Sequence, residues 1–273
     1  MSGVAAPASS CPACGAAGSA PAEPLDGGAA YLRCGACGVE RVDPLPPGVP
    51  VFVDFTDAGE AMFAELRAGA SLADALTPNE RLVLAALRRA LKPGAAVLEL
   101  CCESGRFLAA LRAEGFRPLG MDPLPRPAPM LRAQGLDAAR GGPADVPAEW
   151  PEPEAVVLLE SLVRFPDPVA LLAEARARFP RAALHVAVSS PRQSLKLPEF
   201  DRRHAYPPHH LTRWTERGLA AALERAGYAV RVRTTRAWID WPSRRGVFGN
   251  TLAVALRLAG EAEYSFVAAG TPR

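Results

Sequence analysis

With 273 residues, 49% of them apolar and 22% charged, the chain is long enough to bury one substantial core and to carry a small module besides. A net charge of +2 gives no electrostatic case for a nucleic-acid or membrane partner, and the most apolar candidate for a span, Thr251 to Gly260, is short and holds Arg257. The start shows no basic stretch followed by an apolar core, so the expectation is a soluble, cytoplasmic protein whose six cysteines serve metal binding or buried thiols before disulfides.

Met1 to Ser10 is small and polar, an expected disordered tail. Cys11-Pro-Ala-Cys14-Gly and Cys34-Gly-Ala-Cys37-Gly then form two C-x-x-C knuckles, each followed by glycine. Each knuckle bends the backbone so that two thiolates face one ion, and the pair suits a tetrahedral structural zinc held by Cys11, Cys14, Cys34 and Cys37. Residues 1–42 therefore read as a zinc-ribbon-like module, too short to build a sufficient core alone. The alternative is a redox pair or free thiols. Residues 43–76 are linker and lead-in: a proline-rich DPLPPGVP, then a helical stretch with Phe52, Phe55, Phe63 and Leu66 expected to cover the site side.

Residues 77–273 read as a doubly wound α/β domain. Thr77-Pro-Asn-Glu80 is a capping-box start for a helix over Asn79 to Leu91, ended by Pro93-Gly94. Ala95 to Leu100 is an apolar strand buried on both faces, Cys101 to Gly105 a turn, Arg106 to Glu114 a helix, and Arg117 to Met121 a second strand with Asp122 at its carboxyl end. That βαβ unit brings its first turn and Asp122 to one end of the sheet, where nucleotide-like ligands bind. Asp122 follows the turn by about 20 residues, the spacing of an acid that accepts hydrogen bonds from ribose hydroxyls. Prolines shorten the next helix to a stretch from near Ala128 to Gly135, and Gly141 to Trp150 is a loop carrying Asp145.

Ala155 to Leu159 is the next buried strand, followed by Glu160, and Phe165-Pro-Asp167-Pro168 caps a helix over Val169 to Phe179. Ala182 to Ser189 is a further parallel strand; its His185 reads as a satisfied core histidine before a catalyst. Phe200 to Trp214 gathers His204, His209 and His210 with Tyr206. Thr215 caps a helix over Glu216 to Ala226; Tyr228 to Thr235 and Glu263 to Ala269 form an antiparallel pair. Between them lie an aromatic and arginine-rich loop, Trp238 to Gly249, and a candidate helix over Phe248 to Leu258.

Val97 to Gly105 resembles the cofactor loop of class I S-adenosylmethionine-dependent methyltransferases, which usually reads hydrophobic-hydrophobic-acid-x-Gly-x-Gly-x-Gly. Glu99 and Gly105 match; Cys101 and Glu103 replace the first two glycines. Phe165 to Pro168 matches the end of the family's post-strand segment, and Pro207-Pro-His209-His210-Leu-Thr-Arg-Trp214 resembles the late active-site loop of its small-molecule members. The resemblance covers roughly Thr77 to Ala269. It implies a mostly parallel, Rossmann-like methyltransferase sheet closed by an antiparallel C-terminal hairpin. It implies S-adenosylmethionine held by Glu99, Cys101, Glu103, Gly105, Asp122, Asp145 and Glu160, with Asp145 facing the adenine amino group. It also implies that His209, His210 or Tyr206 assists deprotonation of a small organic acceptor.

Three functions follow from these residues. The first is methyl transfer to a small molecule. The second is a degenerate, non-catalytic relative that binds a ligand or a protein partner, since the departures cluster on the ligand-facing side. The third is an RNA base methyltransferase gripping RNA through the module and a patch of Arg231, Arg233, Arg236, Arg244 and Arg245; the net charge and the lack of an Asn-Pro-Pro-aromatic clamp argue against it.

Overall fold

The computed structural model describes residues 10–45, 52–190, 206–236 and 263–273. The N-terminal tail up to residue 9, most of the proline-rich linker, His204, the Trp238 to Gly249 loop and the helix expected over Phe248 to Leu258 lie outside the described residues.

Apolar runs make the central strands. β4 (Ala96–Leu100) and β7 (Ala155–Leu159) are buried at every position, as strands covered on both faces must be. β4 pairs in parallel with β5 (Arg117–Asp122) on one side and with β7 on the other. β6 (Asp137–Arg140) extends the parallel ladder beyond β5, and β8 (Ala183–Ser189) extends it beyond β7. β10 (Tyr228–Arg236) and β11 (Glu263–Pro272) are antiparallel, and β11 inserts beside β8, giving the order β10-β11-β8-β7-β4-β5-β6. The direction of strand addition reverses at β4, so a crevice opens outside the carboxyl ends of β4 and β7. β6 was not expected from the sequence: it has four residues, no β-branched side chain, and exposed Asp137 and Arg140 at its ends.

The helices divide between the two faces. α3 (Pro78–Ala90), α4 (Arg106–Ala113) and α5 (Pro127–Ala133) pack with β4 residue Val97 and β7 residue Val157 in one core. The capping box at Thr77 forms as expected, with Glu80 N–H donating to Thr77 Oγ1 at 3.2 Å and Thr77 N–H to Glu80 Oε2 at 2.6 Å. α6 (Pro168–Arg178), capped by Asp167, and α7 (Glu216–Arg225), capped by Thr215, pack on the opposite face against Leu98, Val156, Val186 and the fully buried Trp214. The lead-in forms α1 (Thr56–Arg67) and the short α2 (Leu72–Ala75); Phe63 is buried, and Gly59 sits so tightly that a Cβ there would fall 2.7 Å from the Ser104 carbonyl oxygen.

A second, smaller sheet has the order β1-β2-β3-β9, all antiparallel. β1 (Ser19–Pro24), β2 (Ala30–Cys34) and β3 (Glu40–Asp43) come from the module, while β9 (Thr212–Arg213) comes from the histidine-bearing segment. β1 reads Ser-Ala-Pro-Ala-Glu-Pro, a composition that sequence patterns assign to loops and that only an edge strand tolerates. Cys11, Ala13, Cys34, Cys37 and Val39 share one core with Trp214, Leu219 and Ala222, so the module packs directly on α7. Gly218 marks the closest approach: a Cβ there would lie 2.1 Å from Val39 Cγ2, a stiff and buried methyl. Gly218→Ala is therefore expected to cost about 1–3 kcal/mol in urea unfolding; an unchanged midpoint would mean that the seam between module and α7 is loose.

Candidate functional site

Two constellations stand out, the turn after β4 and the four-cysteine cluster. Beyond Leu100 the backbone reverses through Cys101, Glu103 and Gly105, whose φ values of 59, 45 and 73° are all left-handed. Glycine takes this conformation freely, whereas a residue with a Cβ is strained by about 1–2 kcal/mol. The turn thus keeps its glycine-type path although two of its glycine positions carry cysteine and glutamate. Neighbours hold it there. Asp122 Oδ2 accepts from the Glu103 N–H at 2.9 Å and its Oδ1 from the Leu124 N–H at 2.9 Å. The Cys102 N–H donates to the Met121 carbonyl at 3.1 Å, and α1 lies over Ser104 through Gly59.

Between this turn, the first turn of α3 and the end of β7 remains a cleft of about 70 Å³, lined by Glu80, Glu99, Cys101, Glu103 and Glu160 among others. Glu160, itself left-handed at φ 55°, ends β7 and accepts from the Asn79 amide and, at 2.6 Å, from Ser189 Oγ. Glu80 faces Arg106, whose Nε lies 2.9 and 3.0 Å from its two oxygens. Glu99 Oε2 is buried with no hydrogen-bond partner among the described residues. Burial, reinforced by the Glu80 and Glu103 carboxylates, pushes the Glu99 carboxyl well above the usual range. Burial also raises Glu103, opposed by the Arg164 guanidinium, and raises Asp122, opposed by its two backbone N–H donors. The thiols of Cys101 and Cys102 are pushed far up by burial, so neither is a nucleophile. A cleft so rich in carboxyl groups suits a cationic group.

Arg164, in the short turn Leu162–Arg164 after β7, forms an ion pair with Glu103 of the cleft lining and so ties the turn after β7 to the turn after β4. Its guanidinium also lies 5.3 Å from the centre of the Phe55 ring in the lead-in. Arg164, Asn79 and Ser189 are site residues that sequence reasoning missed. Arg164 lies 61 positions from Glu103, and nothing in the local sequence of either turn signals the pairing.

The remaining residues assigned from the sequence fall around this cleft. Gly105 begins α4 and packs against Leu131. Asp145 is exposed, in the turn that starts beside Asp122, and accepts from the Gly142 N–H at 2.9 Å. Tyr206, His209 and His210 are half-buried on the module's side. Tyr206 Oη donates to Glu23 Oε1 at 2.6 Å, and Arg213 stacks between the rings of Tyr31 and Tyr206, 3.8 and 4.7 Å from their centres. Tyr31 Oη donates to the His210 carbonyl at 2.7 Å, and the Leu211 N–H to the Val163 carbonyl at 2.8 Å. The histidine segment therefore abuts the turn that carries Arg164.

In the cysteine cluster, Cys11 and Cys37 Sγ are 3.6 Å apart, as are Cys14 and Cys34 Sγ, and all four lie within 4.8 Å of one another. Zn–S bonds of about 2.3 Å place tetrahedral sulfurs about 3.8 Å apart, whereas a disulfide needs about 2.05 Å. Gly15 and Gly38 are left-handed at φ 76 and 78° and donate back to the Cys11 and Cys34 carbonyls, closing each knuckle. A hydrogen bond from Cys37 holds the Cys11 thiol down at about 4, and the same contact pushes Cys37 up. The four converging sulfurs have the donor type and spacing for zinc. α7 braces both knuckles: Arg225 donates to the Ala13 carbonyl at 2.9 Å, and Thr215 Oγ1 to the Cys37 carbonyl at 2.6 Å. Metal analysis is expected to find one zinc per chain; a chelator that strips it should expose four titratable thiols and lower the melting temperature. Metal-free protein with the same melting temperature would remove the zinc assignment.

Among the described residues no helix is long and apolar enough to cross a membrane. No curated protein matches the chain by sequence. Among solved structures it is similar to the chain in complex with the Haloferax volcanii Trm112 methyltransferase activator, at TM-score 0.57 and 22% identity, covering 81% of this chain and 99% of that one. It is also similar to magnesium protoporphyrin IX methyltransferase from Synechocystis with bound S-adenosylhomocysteine, at TM-score 0.51 and 12% identity over 80% and 96% of the two chains. A third is an S-adenosylmethionine-dependent methyltransferase from Archaeoglobus fulgidus, at 0.50 and 15% over 78% and 99%. These identities speak for the fold, a class I methyltransferase sheet with a cysteine cluster before it. The methyltransferase domain model matches residues 73–232, more than half of the sequence, and the chain belongs to that family.

Proposed function

We propose that the protein transfers the methyl group of S-adenosylmethionine to a small organic acceptor. The observation that carries this is the preserved left-handed path of the turn after β4, anchored by Asp122 although glycine is gone from two of its positions. Retaining strained backbone that a plain scaffold would not need favours a ligand-binding role.

When bound, the cofactor supplies an electrophilic methyl group on a sulfonium. Glu99 and the Cys101 to Gly105 turn would face its methionyl end, Asp122 the ribose, and the turn carrying Asp145 the adenine. Glu160, fixed by Asn79 and Ser189, would close the far wall. His209 or His210 would take the proton that the acceptor loses as its lone pair attacks the methyl carbon, with Tyr206 orienting the segment. Carboxyl-rich walls fit the sulfonium and ammonium. The volume does not fit in this arrangement: about 70 Å³ falls far short of the ~300 Å³ at which small-molecule sites begin. Binding therefore requires the Glu103–Arg164 bridge and the α1 roof to move apart.

The same closed bridge favours a second reading, a non-catalytic methyltransferase fold whose former cofactor mouth is sealed by an ion pair. Calorimetric titration with S-adenosylmethionine separates the two. The transferase reading expects saturable binding tighter than about 1 mM, strengthened by Cys101→Gly, which removes both a side chain from the cleft and its backbone strain. Binding weaker than that in both proteins would leave only the sealed scaffold.

A further inference from the structure

The geometry points to a second ligand site, for a small amphipathic anion, in the cavity between α3 and the outer face of β8, β11 and β10. This cavity encloses about 380 Å³, within the ~300–1,000 Å³ typical of small-molecule sites. It is separate from the cofactor cleft, which lies beyond the carboxyl ends of the strands, whereas this groove runs over the face of the sheet. The site does not depend on the methyl-transfer reading.

Strand alternation explains how the groove is built. On β8, Leu184, Val186 and Val188 turn toward α6 and α7, so His185 turns toward α3. On β10, Val230 and Val232 pack into the α6 and α7 core, so Arg231 and Arg233 emerge together on the α3 side. Arg89, in the last turn of α3, faces them across the groove. Two walls therefore carry guanidinium groups, and no acidic residue lines the cavity among the described residues. Arg88, one position earlier, is paired with Glu114, whereas no described residue makes an ion pair or hydrogen bond with Arg89, Arg231 or Arg233. Three cations around one concavity repel each other unless an anion lies between them, and guanidinium forks match carboxylate or phosphate oxygens.

His185 is the second, independent sign of a ligand. It is 7% exposed and lines the cavity, its ring makes no hydrogen bond to a described residue, and neither ring nitrogen is among the fully buried unpaired atoms, so the ring opens onto the cavity. Buried imidazoles normally engage a partner, because one ring nitrogen donates and the other accepts. Burial lowers its pKa, which keeps the ring neutral and able to do both. Apart from Thr234 and Thr235 the rest of the lining is apolar, with Val83, Ala86 and Val267 in it and Leu82 44% exposed. Cationic walls over an apolar floor fit a charged head with a short hydrocarbon body, and exclude a purely polar ion as the full occupant.

Sodium octanoate is a suitable probe, with acetate and octanol as controls for tail and head. In the full-length chain labelled with 15N-histidine, octanoate should shift the His185 signal saturably, at least tenfold tighter than either control. The signal is assigned by its loss in His185→Gln. Arg231→Ser with Arg233→Ser, both on exposed positions of the edge strand, should weaken binding at least tenfold without changing the melting temperature. The corresponding double lysine variant should keep most of the affinity, because it keeps the charge. No saturable shift, equal affinity for octanoate and acetate, or octanoate binding untouched by the double serine variant would overturn the assignment.

Discussion

The ion pair between Glu103 and Arg164 ties together the two loops that flank the crevice at the carboxyl ends of β4 and β7. One partner belongs to the turn after β4, the other to the turn after β7, and these are the strands between which the crevice opens. Arg164 is buried, and its Nε has no hydrogen-bond partner among the described residues, whereas the Glu103 side chain is 26% exposed, so the guanidinium bears most of the desolvation. The gross attraction, about 4 kcal/mol for two charges 4 Å apart at an effective dielectric near 20, is offset by the cost of burying the guanidinium. Removing either partner alone leaves the other charge stranded, which is why the pair behaves as a unit.

Arg164 is in turn positioned from the far side by the cysteine module. Thr215 joins α7 to the second knuckle, β9 joins the histidine segment to β3, and the Leu211 backbone bonds both to Val42 in β3 and to Val163 beside Arg164. A contiguous path of backbone hydrogen bonds thus runs from the four-cysteine cluster through β3 and the histidine segment to the turn that carries Arg164.

Much of this was legible in the sequence, for physical reasons. Doubly buried strands are continuous apolar runs, so β4, β5, β7 and β8 were readable, and Thr77-Pro-Asn-Glu80 encodes a capping box that forms as written. The two C-x-x-C-Gly knuckles specify a four-sulfur convergence because each carries its turn within it. What escaped is structure that depends on remote partners. β9 is two residues long and exists because β3 lies beside it; β1 is a proline-bearing edge; β6 is a short rim strand. Within the site, the acid and the last glycine of the turn were readable, while the compensation of Glu103 by Arg164 is a contact across 61 positions that no local pattern announces. Although glycine is replaced there, Cys101 and Glu103 take the left-handed φ, with Asp122 and the Met121 carbonyl holding the turn.

The account stands on the bridge being a gate in front of a working cofactor cleft. A double-mutant cycle over Glu103 and Arg164, read as affinity for S-adenosylhomocysteine, tests this most directly. A gate predicts that Arg164→Met, which leaves the Glu103 carboxylate free for the ligand's ammonium group, tightens binding by about tenfold, or 1.4 kcal/mol, and that the same substitution made in Glu103→Gln gains little, because the ion pair is already broken there. Additive effects, or no measurable affinity in any of the four proteins, would contradict it.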